Sequence, residues 1–194
     1  MALQQQKDGM MKEHLLVTAV GEDRPGIVSH LAEVIARNGA NMEDSRMTVL
    51  GGEFAAIALV TVPPAKEAEL IKDLESLSKE KIHVTTRKTK APDAARFKGY
   101  TTYQISLEGA DHEGIVHKIS SYLKNHNINI QSMETELVPA PETGTPLFCM
   151  NAIVSVPPSI SFKTLNEELD AIGSEEAVDV DVAAYIESGQ EVGV

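Results

Sequence analysis

An α+β chain made of two tandem β-α-β-β-α-β units is predicted by three observations. The segment Gly21-Glu22-Asp23-Arg24-Pro25-Gly26-Ile27-Val28 recurs as Gly109-Ala110-Asp111-His112-Glu113-Gly114-Ile115-Val116, and the matched pairs, Asn41 with Asn129 included, share one offset of 88 residues. Val60-Thr61-Val62-Pro63-Pro64 is echoed by Val154-Ser155-Val156-Pro157-Pro158 at an offset of 94, so six residues were gained in between. Each copy also switches its apolar period between strand-like runs and helical spacing in the same order. The copies are expected at 12–89 and 100–187, joined by a linker at 90–99. Together they occupy nearly all of the 194 residues, which leaves no separate catalytic domain.

In the first copy, His14 to Val20 is a run of strand formers. Gly21 to Gly26 is a turn, with Pro25 suited to the start of a helix. Ile27, Leu31, Val34 and Ile35 recur at i, i+4, i+7 and i+8, one face of that helix, and Asn38-Gly39 stops it. Met42 to Leu50 is a second strand, Gly51-Gly52 a tight hairpin turn, and Glu53 to Val62 a third strand ended by Pro63-Pro64. Leu70, Ile71, Leu74 and Leu77 define a second helix, and Ile82 to Lys88 the last strand.

The second copy follows the same order: strand Tyr100 to Glu108, helix Glu113 to His126, strands Asn129 to Pro139 and Pro146 to Val156, a helix on Phe162, Leu165, Leu169 and Ile172, and strand Val178 to Ile186. Its hairpin is longer and stiffened by Pro139, Pro141 and Pro146. Met10 and Met11 suggest that the first nine residues are a dispensable tail, and Glu187 to Val194 is expected to fray. Right-handed crossovers place both helices on one face of a four-stranded antiparallel sheet, a ferredoxin-like sandwich. The open edges and faces then favour pairing of units and a homo-oligomer.

Composition narrows the function. With no Trp, four Phe and four Tyr, the cores must be aliphatic. A net charge of −12 repels phosphate backbones and argues against direct nucleic-acid binding. A local run of Lys79, Lys81, Arg87, Lys88, Lys90, Arg96 and Lys98 fits a solvated face. The single cysteine, Cys149, cannot make an internal disulfide, and no stretch is long enough to span a membrane, so a cytoplasmic chain is expected. His112, His117 and His126 miss the spacing of helical zinc ligands. No Gly-x-Ser-x-Gly elbow, dinucleotide fingerprint or phosphate loop occurs.

The duplicated turn is the candidate site. Gly26 and Gly114 open the helices, where free N–H groups and a missing side chain would admit a carboxylate; equally, they serve an unusual turn angle or close packing. Asp23 and Asp111 could accept from a ligand ammonium group, or could cap their own helix. Asn41 and Asn129, just past the helix stop, carry amides that both donate and accept, and turn chemistry accounts for them as well.

The Asp-Arg-Pro-Gly-Ile-Val turn, together with Gly39-Ala40-Asn41-Met42-Glu43-Asp44-Ser45-Arg46 and Leu50-Gly51-Gly52-Glu53-Phe54, resembles the ACT domain, a small-molecule-sensing regulatory module. The combination most resembles the glycine cleavage system transcriptional repressor family, which consists of two such domains. Copy two departs from the pattern, with His112-Glu113 in place of Arg24-Pro25. The resemblance implies a non-catalytic amino-acid sensor acting through ligand-dependent contacts with a regulatory protein partner. Its effector would be a small amino acid such as glycine or serine, with no cofactor and no metal. The implied ligand-binding residues are Gly21, Asp23, Arg24, Pro25, Gly26, Ile27 and Asn41, with Gly109, Asp111, His112, Gly114, Ile115 and Asn129. Two alternatives remain: a ligand-independent interaction adaptor, and an in-trans regulatory subunit of an amino-acid metabolic enzyme.

Overall fold

Alternating burial along the first strand fixes the layering of unit one in a computed structural model that describes residues 12–91, 93, 95–141 and 144–186. The proposed N-terminal tail, Pro92 and the C-terminal Glu187–Val194 lie outside the described residues. Strand β1 (Glu13–Glu22) turns Leu15, Val17 and Ala19 inward, each at most 1% exposed, and its alternate residues outward. Helix α1 (Ile27–Arg37) buries Ile27, Leu31, Val34 and Ile35 against that face. These are the four residues whose spacing predicts the helix.

β2 (Asn41–Leu50) and β3 (Glu53–Val62) form a hairpin, and β3 is inward-facing through Phe54, Ala56, Ala58 and Val60. Helix α2 (Glu67–Ser76) follows and tightens into a 3-10 turn at Leu77–Glu80, which leads into β4 (Ile82–Thr89). The antiparallel order is β2-β3-β1-β4.

Unit two repeats this with β5 (Thr101–Ala110), α3 (Ile115–Asn125), β6 (Asn129–Pro139), β7 (Pro146–Val156), α4 (Phe162–Glu176) and β8 (Val178–Ala184). Its sheet order is β6-β7-β5-β8. The chain divides between residues 92 and 93. Each unit has its own aliphatic core, Leu15, Leu31, Leu70 and Leu74 in the first and Ile105, Ile119, Leu165 and Leu169 in the second. The architecture is therefore α+β, two antiparallel four-stranded sheets with helices on one face.

Both edge strands β2 and β6 carry a register shift just after their first residues, between Met42 and Asp44 and between Ile130 and Ser132. The extra residue differs in use. Glu43 sits 3.8 Å from His14 Nε2, whereas Gln131 Nε2 donates to Ser155 Oγ at 2.7 Å. Phe162 belongs to the helical pattern but remains 47% exposed, stacked on Tyr103 with ring centroids 5.5 Å apart.

Candidate functional site

The duplicated turn lies where the first strand of each unit hands over to the first helix. Gly21, expected in the turn, is instead inside β1, paired with Phe54 and Ile82. A Cβ there would meet the Lys81 carbonyl oxygen at 2.6 Å, so glycine is set by the close approach of β4. Asp23 begins the turn and donates its backbone N–H to Gly52 O at 2.9 Å, which ties the corner to the β2-β3 hairpin.

Gly26 is the cap of α1, at φ 97°, and no side chain caps the helix. The capping role open to Asp23 is thus not the one adopted. A Cβ on Gly26 would meet nothing within 4 Å, so only the left-handed backbone demands glycine. Pro25 followed by a left-handed glycine is the pattern of a type II turn. Pro25 accordingly precedes the helix rather than opening its first turn. Gly114 repeats the conformation at φ 99° with Glu113 in the proline's place, and α3 likewise has no side-chain cap. Ile27 and Ile115, 3% and 2% exposed, are core residues whose side chains point away from any surface ligand.

Arg24 is spoken for. Its Nη2 donates to the Glu80 carbonyl at 2.9 Å and lies 3.6 Å from the Glu80 carboxylate, which also accepts from His30 Nδ1 at 2.8 Å. A cation at a helical C-terminus complements the exposed carbonyls there. The clasp joins the turn, α1 and the end of the second helical segment. Beside it lies an open depression of about 300 Å³ lined by Glu22, Arg24, Lys79, Glu80 and Lys81.

Unit two builds the same clasp from different residues. His112 Nε2 donates to the Glu176 carbonyl at 2.8 Å, and Lys118, the counterpart of His30, reaches Glu176 Oε1 at 3.2 Å. His112 Nδ1 faces the Glu113 carbonyl at 3.2 Å. A carbonyl can only accept, so both contacts are made at once only by the doubly protonated ring. The Glu176 and Glu113 carbonyls, followed by the Glu176 and Asp111 carboxylates, raise the His112 pKa above its ordinary value of 6.5. Glu80, Glu176, His30 and Lys118 went unnoticed in the sequence. Glu80 and Glu176 both precede a non-glycine residue at positive φ, Lys81 and Ala177, at an offset of 96 that neither repeat block carries, so no repeat in the sequence marks them.

Asn41 and Asn129 do not join this corner. Asn41 pairs with Thr61, which pairs with His14 at the far end of β1, whereas Gly21 marks the near end. Seven residues of strand separate those levels, about 23 Å at the usual rise. The two ends of one unit cannot hold one small zwitterion. Asn129 makes only a local contact, donating to the Ile130 carbonyl at 3.3 Å. Cys149 is mid-strand in β7, and desolvation, helped by the Glu108 and Glu136 carboxylates, pushes its thiol up, away from the reactive thiolate. Among the described residues no group of three His, Cys, Asp or Glu is placed to hold a metal, and no helix is long and apolar enough to cross a membrane.

The ACT domain profile matches residues 13–86, within unit one. The chain belongs to the ACT-domain family. Along its whole length it is similar to the glycine cleavage system transcriptional repressor of Escherichia coli, 27% identical over 201 residues that span 94% of this chain and 97% of the relative. Over 70 residues the chain is also similar to a UPF0237 protein of Methanococcus maripaludis, 39% identical across 35% of this chain and 78% of that one. Among solved structures, an unknown protein from Galdieria sulphuraria is 33% identical with a TM-score of 0.77, covering 91% of this chain and 100% of its own.

Proposed function

We propose that this chain is a non-catalytic, amino-acid-sensing regulator that works through ligand-dependent contacts with another protein. The observation that carries the reading is the likeness to a glycine cleavage system transcriptional repressor along 94% of this chain and 97% of the relative. The effector is a small amino acid such as glycine or serine, and the partner is a regulatory protein rather than DNA, in keeping with the net charge of −12.

Asp23 and Asn41 lie at opposite ends of one unit, so within unit one the proposal rests on the turn around Asp23. The open depression beside Arg24 is the place proposed for the ligand at that turn. A ligand that binds one arrangement of units better than another shifts the population by the ratio of its two affinities.

Thermal-shift measurements against the standard amino acids at millimolar concentration test this. One small amino acid should raise the melting temperature. Asp23→Ala should abolish the rise while leaving ligand-free stability within about 0.5 kcal/mol, as expected of an exposed side chain that caps nothing. Silence across the whole panel, with a partner captured regardless of ligand, would favour the ligand-independent adaptor instead.

A further inference from the structure

The sheet face turned away from the helices has opposite chemistry in the two units. In unit one, cross-strand register sets Asp44, Leu59, Leu16 and Arg87 in one row from edge to edge, with Arg46, Ile57, Thr18 and Thr85 in the next. Val20 and Ile57 on this face are 47% and 44% exposed. In unit two the corresponding rows read Ser132, Ile153, Gln104 and Ala183, then Glu134, Asn151, Ser106 and Asp181, and the row after them reads Glu136, Cys149, Glu108 and Asp179.

Where unit one puts an acid at one edge, a base at the other and leucines between, unit two has no charge in the matching row and acids at both edges of the next two. The charge of whole units follows suit. Residues 1–92 carry twelve Lys and Arg against thirteen Asp and Glu, and residues 93–194 five against sixteen.

We infer that the open sheet face of unit one is a docking surface for the same face of a second copy of this chain. A two-fold axis running along the strands between two such faces lays β2 of one chain over β4 of the other and keeps every row at its own level. Asp44 then lies across from Arg87 of the second copy, twice, and the Leu16, Val20, Ile57 and Leu59 side chains meet between them. Asp44 holds Arg46 Nη1 at 2.7 Å within its own chain, and no carboxylate among the described residues pairs with Arg87. The second copy supplies one.

The same operation on unit two sets carboxylates over their neighbours' carboxylates, so that face repels itself. Sheets pack through apolar inner faces, and in unit two the middle of the face is a hydrogen-bonded polar set, with Ser106 Oγ donating to Asn151 Oδ1 at 2.8 Å. Four strands about 4.8 Å apart and about 23 Å long give a footprint of roughly 400 Å² per chain. The total of about 800 Å² is below the range of stable specific interfaces, so the dimer is a weak, concentration-dependent one. The inference stands apart from amino-acid sensing and survives its failure.

Sedimentation velocity on the full-length chain, from nanomolar to high micromolar protein, tests it. Wild type should pass from monomer to dimer. Arg87→Asp and Asp44→Arg, each leaving like charges opposed, should weaken the dimer by roughly tenfold or more, the effect of one close interfacial charge pair. The double variant Asp44→Arg/Arg87→Asp restores opposite charges across the axis and should recover the dimer, which a merely destabilised fold would not do. Ile57→Glu should give a monomer with unchanged far-UV circular dichroism. A monomer at every concentration, failure of the swap to rescue, or loss of the dimer on Glu134→Lys in unit two would overturn the inference.

Discussion

Replacing Gly21 by alanine separates packing from ligand chemistry at the candidate corner. The new Cβ would stand 2.6 Å from the Lys81 carbonyl oxygen and 3.3 Å from Ile82 Cα. Both obstacles are backbone, and β4 is held there by the ladder that pairs Gly21 with Ile82. Carbon and oxygen need more than 3 Å, so two paired strands must part by several tenths of an ångström. Overpacking of this kind costs about 1–3 kcal/mol.

For a unit of this size each kcal/mol moves the melting temperature by about 4–8 °C, so a fall of roughly 5–20 °C is expected by calorimetry. Gly26→Ala is the internal control. Its Cβ would meet nothing within 4 Å, and only the φ of 97° is strained, for about 1–2 kcal/mol. If Gly21→Ala melted within a degree or two of wild type, the reasoning that assigns Gly21 to strand packing would be wrong.

Gly109→Ala should be as damaging as Gly21→Ala, because its Cβ would stand 2.8 Å from Val178 Cα. The His112 clasp should depend on pH: with the folded pKa above 6.5, its stabilisation is complete below about 6.5 and fades as pH rises through the folded value. Amide exchange at Ala177 and Val178 should quicken over that window, and His112→Arg, copying Arg24, should remove the dependence. Ser161, whose Oγ accepts from the Thr164 N–H at 3.0 Å, caps α4. Ser161→Ala should cost about 1 kcal/mol in denaturant melts.

Apolar periodicity made most of the fold legible. The hairpin strands Glu53–Val62, Asn129–Pro139 and Pro146–Val156 fall where their residues indicate, because each is bounded by glycines or prolines that end a ladder. β1 and β5 run two residues past their expected ends, to Glu22 and Ala110. Glycine suggests a turn locally, while the neighbouring strand that demands a missing side chain is some 60 residues away in sequence.

The expected α3, Glu113 to His126, shrinks to Ile115–Asn125 because Gly114 is left-handed and Glu113 belongs to the turn. At the site, the resemblance grouped Asp23 with Asn41, although the predicted crossover helix, eleven residues long in the structure, carries the chain from one end of the sheet to the other between them. The clasp was hidden because Arg24 and Glu80 meet across 56 residues.

The register shifts at Met42/Asp44 and Ile130/Ser132 have a consequence for how such chains coexist at high concentration. An outer strand with regular spacing along its full length is a template on which the next molecule can extend the ladder without end. Each bulge unpairs one residue and sharpens the twist, so an incoming strand loses register a few residues in. Ladder extension is thereby discouraged at β2 and β6, two of the four outer strands; β4 and β8 pair without such a shift.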